Sequence, residues 1–553
     1  RLLSRSRDDF KALGQQFART WDVSTQTAPP PLSVSLAAGR PFTLLGRKMG
    51  VLSALAYRQS WLNQTVERTS ARVRGEGADR VVEADDTQRI ERLERTINLS
   101  GLLELDAELA PGHRVWSTTL LLRSTDDITR QRTGFDGDQM TDIRVNRLEW
   151  VERMLLDQIL RGQHATPLGR VDWAYALSLA TRDEPDRRST RYDYEPPSQA
   201  SGDPGGYRMY DRPEGNQRFY SAMDDVGHDA RVGWTVPLTD ARRADAPDEP
   251  TQALKLGARF TRRERESTTY RFRFLDRLGE LGVDPATRRA VLGANPNTTL
   301  GEESLRNGWF ELRDNTQPTD SYTGRETVAA AYAMGEAELP WNLRAMAGLR
   351  VEYGEVAVIT QRPFAANAEA LESAPDSTEL LPAATLTWAL SDTMQLRGGY
   401  TQTLIRPDFH ELSPAQKDPV DGDRPVKGNP DLKSGLIRHL DLRWEWYPSP
   451  RESLSVAGFF KAFEDPIEAT INAGADGTLS FRNSAGASNL GLEIEARKQL
   501  GFLGNWGEDL FVAGNLALIR SEVDLSGDSV VTSKSRPLEG QSPYVLNLQL
   551  GWE

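Results

Sequence analysis

The sequence predicts an all-β protein, a large antiparallel β-barrel that spans a membrane. Three observations lead there. Strict alternation of apolar and polar side chains recurs along the chain, the alternating segments are long, and the links between them switch between short and long. In 440–446, Leu440, Leu442, Trp444 and Trp446 fall on one face of a strand, with Asp441, Arg443 and Glu445 on the other. The same pattern runs through 171–179, 345–353 and 490–497. Globular strands mostly stop at about five or six residues. Segments 114–132 and 252–274 continue well past that without a strong turn signal. A tilted membrane strand needs roughly 9–11 residues to cross and is free to continue above the bilayer.

Taken in order, residues 1–31 read as a connector with a short helix. Phe10, Leu13 and Phe17 share one helical face, Asp8 or Asp9 supplies an N-cap, and Pro29, Pro30 and Pro31 end it. Residues 32–553 read as the barrel, with about seventeen strands. The expected links are 39–48, 65–86, 110–113, 133–141, 166–169, 183–216, 238–250, 276–320, 340–342, 362–378, 391–393, 409–434 and 448–451, then 472–479, 501–508 and 525–541. Tight turns on one side and long loops on the other are the mark of an outer-membrane barrel. Trp341, Trp388, Trp444, Trp446 and Tyr447 lie beside short turns, where interfacial girdles belong.

Composition removes other classes. No run of 18 apolar residues is present, so a helical span is not expected. A net charge of −13 argues against nucleic acid as a partner. The absence of cysteine excludes disulfides and thiolate chemistry. The five histidines are scattered, and no zinc-protease, nucleophile-elbow or phosphate-loop motif occurs. Neither enzyme activity nor a cofactor or metal is expected. The acidic turns at Asp136–Asp138 and Asp421–Asp423 carry calcium-type oxygens but not EF-hand spacing.

Ligand contact is expected on the link 183–216, through Arg187, Arg188, Arg191, Tyr192, Tyr194, Tyr207, Arg208 and Tyr210. Guanidinium and phenol side by side suit an anionic, aromatic-bearing chelate. Near 406, Pro407 ends a strand ladder, and Arg406 is placed to pair with a carboxylate on a neighbouring strand or on an element filling the barrel.

The stretch LRGGYTQTLIRPDFHEL from Leu396, with Arg406, Pro407, Asp408 and Phe409, is followed by Gly428, Asn429 and Pro430 in GNPDL. A strand ending in Trp446-Tyr447 comes next, then LSVAGFFKAFEDPIE from Leu454 and NLGLEIEARKQL from Asn489. This ordered set resembles TonB-dependent outer-membrane receptors. So do SVSLAAGRPF and KMGVLSALAYRQS near the start. The resemblance implies a 22-stranded barrel filled by an N-terminal plug. It implies localisation in the Gram-negative outer membrane, in contact with its lipid. It also implies uptake of a scarce nutrient, above all an iron-siderophore or similar metal chelate, driven by TonB and its inner-membrane motor proteins. The chain departs from the pattern in lacking a plug and TonB box before residue 32, and in ending about five strands early. Residues 1–31 are then the connector from an absent plug, and the barrel is truncated at its C-terminus. Two rival readings stay open: a passive porin-like channel and a soluble β-rich surface-binding protein.

Overall fold

The computed structural model describes residues 17, 20–74, 80–137, 139–200, 202–209, 215–243, 250–317, 319–360, 371–417, 425–471, 478–504, 507–525 and 534–552. Among these, seventeen long strands form one antiparallel wall in which strands adjacent in sequence pair side by side. They are β1 (Leu32–Leu44), β2 (Arg47–Arg74), β3 (Val81–Ala110), β4 (His113–Asp136), β5 (Thr141–Thr166), β6 (Gly169–Glu195), β7 (Gln217–Pro237), β8 (Gln252–Asp276) and β9 (Tyr322–Leu339). The wall continues with β10 (Leu343–Thr360), β11 (Asp376–Ser391), β12 (Met394–Ile405), β13 (Gly435–Ser449), β14 (Glu452–Glu464), β15 (Gly486–Gln499), β16 (Leu510–Asp524) and β17 (Tyr544–Trp552). The all-β expectation and its strand count hold. No pairing joins β1 to β17 among the described residues.

The expected phase of the links also holds. One end of the wall carries tight turns such as Leu45-Gly46, Pro167-Leu168 and Pro450-Arg451. Leu45 and Gly46 both take positive φ, 53° and 74°, the two-residue geometry that matches strand twist. The other end carries the long links 196–216, 277–321 and 406–434.

Three expected links are largely strand. Within 65–86, Glu67 faces Arg89 and Ser70 faces Asp86 in a continuing ladder. Within 133–141, Thr133 to Asp136 pair with Arg144 to Thr141. Within 183–216, β6 runs on to Glu195. Gly134 stays paired on both sides and Pro185 falls in the β6 bulge between Glu184 and Arg187, where no ladder N–H is needed, so polar composition alone does not end these strands. The helix expected over 8–21 lies outside the described residues apart from Phe17, Thr20 and Trp21; Thr20–Pro31 carries no regular element.

The wall has an apolar and a polar face. Leu440, Leu442 and Leu490 are 57%, 56% and 58% exposed, and leucine, valine and alanine continue that face along neighbouring strands. Water does not tolerate a continuous band of this kind, whereas a bilayer solvates it. The opposite face carries ion pairs such as Arg344–Glu336 and Arg443–Glu445.

Beyond the apolar belt, on the long-loop side, both faces are covered. β8 pairs with β7 and β9 without a register shift, so Phe260, Phe272 and Phe274 share the outward face, and Arg263, Arg265 and Arg271 the inward one. The link after β8 folds outward. Its helices α1 (Pro285–Leu292), α2 (Pro296–Thr299) and α3 (Glu302–Arg306) pack Leu292, Leu300 and Leu305 with Phe272, Phe274 and Trp21. Asp284 caps α1 by accepting from the amides of Ala286 and Thr287. The link after β12 folds inward, carrying the short helix α4 (Phe409–Leu412). Short strands at Gln416–Lys417, Val426–Lys427, Ile467–Ile471 and Leu479–Asn483 form a second small sheet beside α4.

Candidate functional site

The arginine and tyrosine set expected on one loop lies mostly on β6, and the structure divides it between two faces. The register of β6 shifts between Leu148 and Glu152 of β5, and again between its own Glu184 and Arg187 against β7. Such a bulge exchanges the faces of all residues beyond it. Arg187 and Arg191 therefore face inward, while Arg188, Tyr192 and Tyr194 face outward. Arg187 lies 3.4 Å from Glu184 and stacks over the Phe219 ring at 3.8 Å. Arg191 bridges Asp136 and Asp193, each at 2.8 Å. Arg188 holds Asp186 at 2.7 Å, and Arg208 is bound by Glu195 and Asp203. The Tyr192 hydroxyl donates to the Ala294 carbonyl at 2.8 Å, and Tyr194 meets Tyr207 edge-on at 5.4 Å. Tyr210 lies outside the described residues.

The signature residues, in contrast, come together as one brace on the inward face. Arg406 leaves the end of β12 and reaches across β11 to Glu352 on β10, at 2.7 Å. Its guanidinium lies flat on Gly354, where an added Cβ would stand 2.3 Å from Nε. Pro407 turns the chain, and Asp408 begins α4 with a reciprocal capping box: its carboxylate accepts from the His410 amide at 3.1 Å, and Glu411 accepts from the Asp408 amide at 2.8 Å. The His410 ring, at 2.7 Å, together with that amide and the nearby Arg265, holds the Asp408 carboxyl well below the usual carboxylate range.

Phe409 is 2% exposed. It sits on Gly324, where a Cβ would come within 2.7 Å of the ring. Arg263 and Arg265 each lie 5.2 Å from the ring centre, and Tyr322, Val356, Leu412 and Leu432 complete the packing. Gly428 passes so close to α4 that a Cβ would be 2.1 Å from the Ser413 carbonyl oxygen. The Asn429 side-chain amide donates to Phe481 at 2.9 Å, tying this loop to the next, and Pro430 accepts from Ser373 at 2.5 Å. Beneath the brace a cavity of about 210 Å³ is lined by Arg263, Glu326, Arg406 and Asp408 over Val356 and Phe409.

The inward wall beside this brace is cationic. By strand alternation Arg130, Arg132, Arg147, Arg153, Arg182, Arg187, Arg191, Arg263, Arg265, Arg271 and Arg273 share the long-loop half of the inward face of β4–β8. Fewer carboxylates accompany them, among them Asp126, Glu149, Glu184 and Asp225. Arg263 and Arg265 share Asp225, and Arg271 holds Asp320 at 2.9 Å. Periodicity of the segments carried this surface implicitly, but it becomes visible only once the β6 bulge sets which residues face inward. Among the described residues no group of three or more histidine, aspartate or glutamate side chains is arranged to hold a metal.

Comparison with known proteins agrees with the architecture. The family described as TonB dependent receptor-like, beta-barrel matches residues 162–553. No curated protein matches. Among solved structures, the ferric yersiniabactin uptake receptor FyuA from Yersinia pestis aligns at 13% identity and a TM-score of 0.45, over 96% of this chain and 66% of that one. The copper transporter OprC aligns at 14% and 0.48, over 95% and 64%. The unliganded ferric citrate transporter FecA aligns at 11% and 0.45, over 89% and 60%. The chain thus spans less than two thirds of the length of each. With most of its length matched by the family and its wall built as observed, this chain belongs to the TonB-dependent receptor-like β-barrel family.

Proposed function

We infer that this chain, as a member of its family, lies in the Gram-negative outer membrane and serves transport, not catalysis. We propose that it forms the wall and outer vestibule of an importer for a scarce, anionic metal chelate of the iron-siderophore kind. The observation that carries this reading is the inward face beside the brace, where guanidiniums outnumber carboxylates although the whole chain carries a charge of −13. A low-dielectric cleft lined by one sign of charge concentrates ligands of the other sign. Most of these arginines are paired, so they attract through the summed field of the wall and not as free point charges. The brace, which joins two long loops, is the element that closure over a ligand would move.

Energy coupling requires TonB and a plug in the lumen. We propose that sequence outside these residues supplies the plug and the strands that close the wall, with residues 1–31 as a connecting segment. The test is uptake of radiolabelled ferric chelates by cells carrying the full-length gene. Uptake that is lost without TonB, and reduced severalfold by Arg263→Gln with Arg265→Gln, supports the reading. TonB-independent uptake, or steady conductance in planar bilayers, would favour a passive pore.

A further inference from the structure

Above the apolar belt, the outward face of β3–β6 carries a pocket of about 470 Å³ that the transport reading does not use. Glu91, Gln131, Thr133, Arg144 and Asn146 form one patch of direct cross-strand neighbours, and Tyr192 and Tyr207 wall one side. Asp22 and the start of α2 close another side.

The patch faces away from the lumen. β4 pairs with β3 and β5 without a shift from Leu121 to Thr133, so Gln131 shares the face of Leu121, which continues through Leu156 to Leu179 on the lipid side. On the same face Arg95 lies between Trp61 and Trp150, at 5.6 and 5.9 Å, an arrangement that marks the membrane interface. Glu91 and Asn146 lie four residues beyond Arg95 and Trp150 on their strands. At roughly 3.4 Å per residue and a tilt of about 40°, the pocket floor stands about 10 Å above the girdle. The headgroup layer is only about 5–8 Å deep, so the pocket opens where the sugars of an outer-leaflet glycolipid stand.

Its chemistry is that of a neutral, polyhydroxylated ligand. Planar amide, carboxylate and guanidinium groups pair donors and acceptors at the spacing of adjacent hydroxyls. They already form a relay: Gln131 donates to Asn146 at 3.2 Å, and Asn146 to Asp22 at 3.4 Å. Arg144 lies 3.7 Å over the Tyr207 ring. Charge is balanced, with Asp22 and Glu91 against Arg144 and Arg89, the last holding Glu91 at 3.0 Å. That balance disfavours phosphate. The volume fits a small-molecule site. We propose that this outward pocket binds a sugar ring, presented by a surface glycolipid or by a free oligosaccharide.

The test uses the full-length receptor in detergent micelles, titrated calorimetrically with the neutral hexose oligosaccharide of the lipopolysaccharide outer core, freed of lipid and of acidic and phosphorylated sugars, and separately with intact rough lipopolysaccharide. Saturable binding of the free oligosaccharide, weakened at least tenfold by Gln131→Ala with Asn146→Ala and by the space-filling Thr133→Trp, is expected. Thr133→Trp removes none of the relay bonds, so its effect separates occupancy from folding. If only the intact glycolipid is bound, and both variants weaken it tenfold, the lipid is the source of the sugar. No binding of either probe, or binding that both variants leave unchanged, would overturn the proposal.

Discussion

Replacing Phe409 by alanine should release the inward brace without unfolding the wall. The ring is 2% exposed, rests on Gly324 and lies between the guanidiniums of Arg263 and Arg265. Truncating a buried phenylalanine costs about 3–5 kcal/mol, and each cation–π contact adds roughly 0.5–1 kcal/mol. The strands on either side keep their ladders, so the loss falls on docking of the 406–434 segment. At 1.4 kcal/mol per factor of ten, a loss of about 3 kcal/mol raises the undocked population roughly 100-fold. Native-state trypsin cleavage at Lys417 and Lys427 reports that population when opening is fast compared with cleavage. The expected result is cleavage faster by about two orders of magnitude, with an unchanged thermal transition of the barrel. Phe409→Leu, which keeps most of the volume, should fall between. An increase of less than about threefold would refute the claim that this ring anchors the loop.

Gly354→Val should displace the Arg406 guanidinium, because even a Cβ there would stand 2.3 Å from Nε; the same trypsin assay should show faster cleavage, and equal rates would contradict the close approach. Asp408 has its folded-state pKa lowered by the His410 bond, so its stabilising contribution is present above the unfolded value of about 3.9 and fades as pH falls below it. Hydrogen exchange of the α4 amides should therefore accelerate, after correction for intrinsic rates, below about pH 4, and Asp408→Asn should flatten that profile. Arg191→Ala strands Asp136 and Asp193 beside an inward face where the arginine side chain is only 6% exposed, and should cost about 3–5 kcal/mol by urea unfolding. Arg438→Ala breaks a pair whose partners are 46% and 55% exposed, and should cost no more than about 1 kcal/mol.

The wall was legible because its code is local. Leu440, Leu442 and Trp444 against Asp441 and Arg443 declare a two-faced strand without knowledge of any neighbour. The brace was legible in part. Pro407 and the Asp408–Glu411 capping box can be read from sequence, whereas the seats at Gly324 and Gly354 depend on strands far away in the chain. The polar run Arg187–Tyr194 has the composition of a link yet continues β6 as strand, because nothing there breaks a ladder. The bulge that splits Arg187 and Arg191 from Arg188 and Tyr192 comes from pairing register, which no single strand reveals. The outward helices carry a local signal of their own. Asp284-Pro285 and Asn295-Pro296 each place a capping side chain just before a proline at the first helical position.

The central claim is that one face of this wall meets lipid and the other an aqueous lumen. The chain contains no cysteine, so single cysteines can be introduced along β13 from Leu440 to Trp446 and spin-labelled in lipid vesicles. Collision with oxygen should peak at 440, 442, 444 and 446, and collision with a water-soluble nickel chelate at 441, 443 and 445. Accessibility without a two-residue period, or with nickel access equal on both faces, would contradict the membrane barrel.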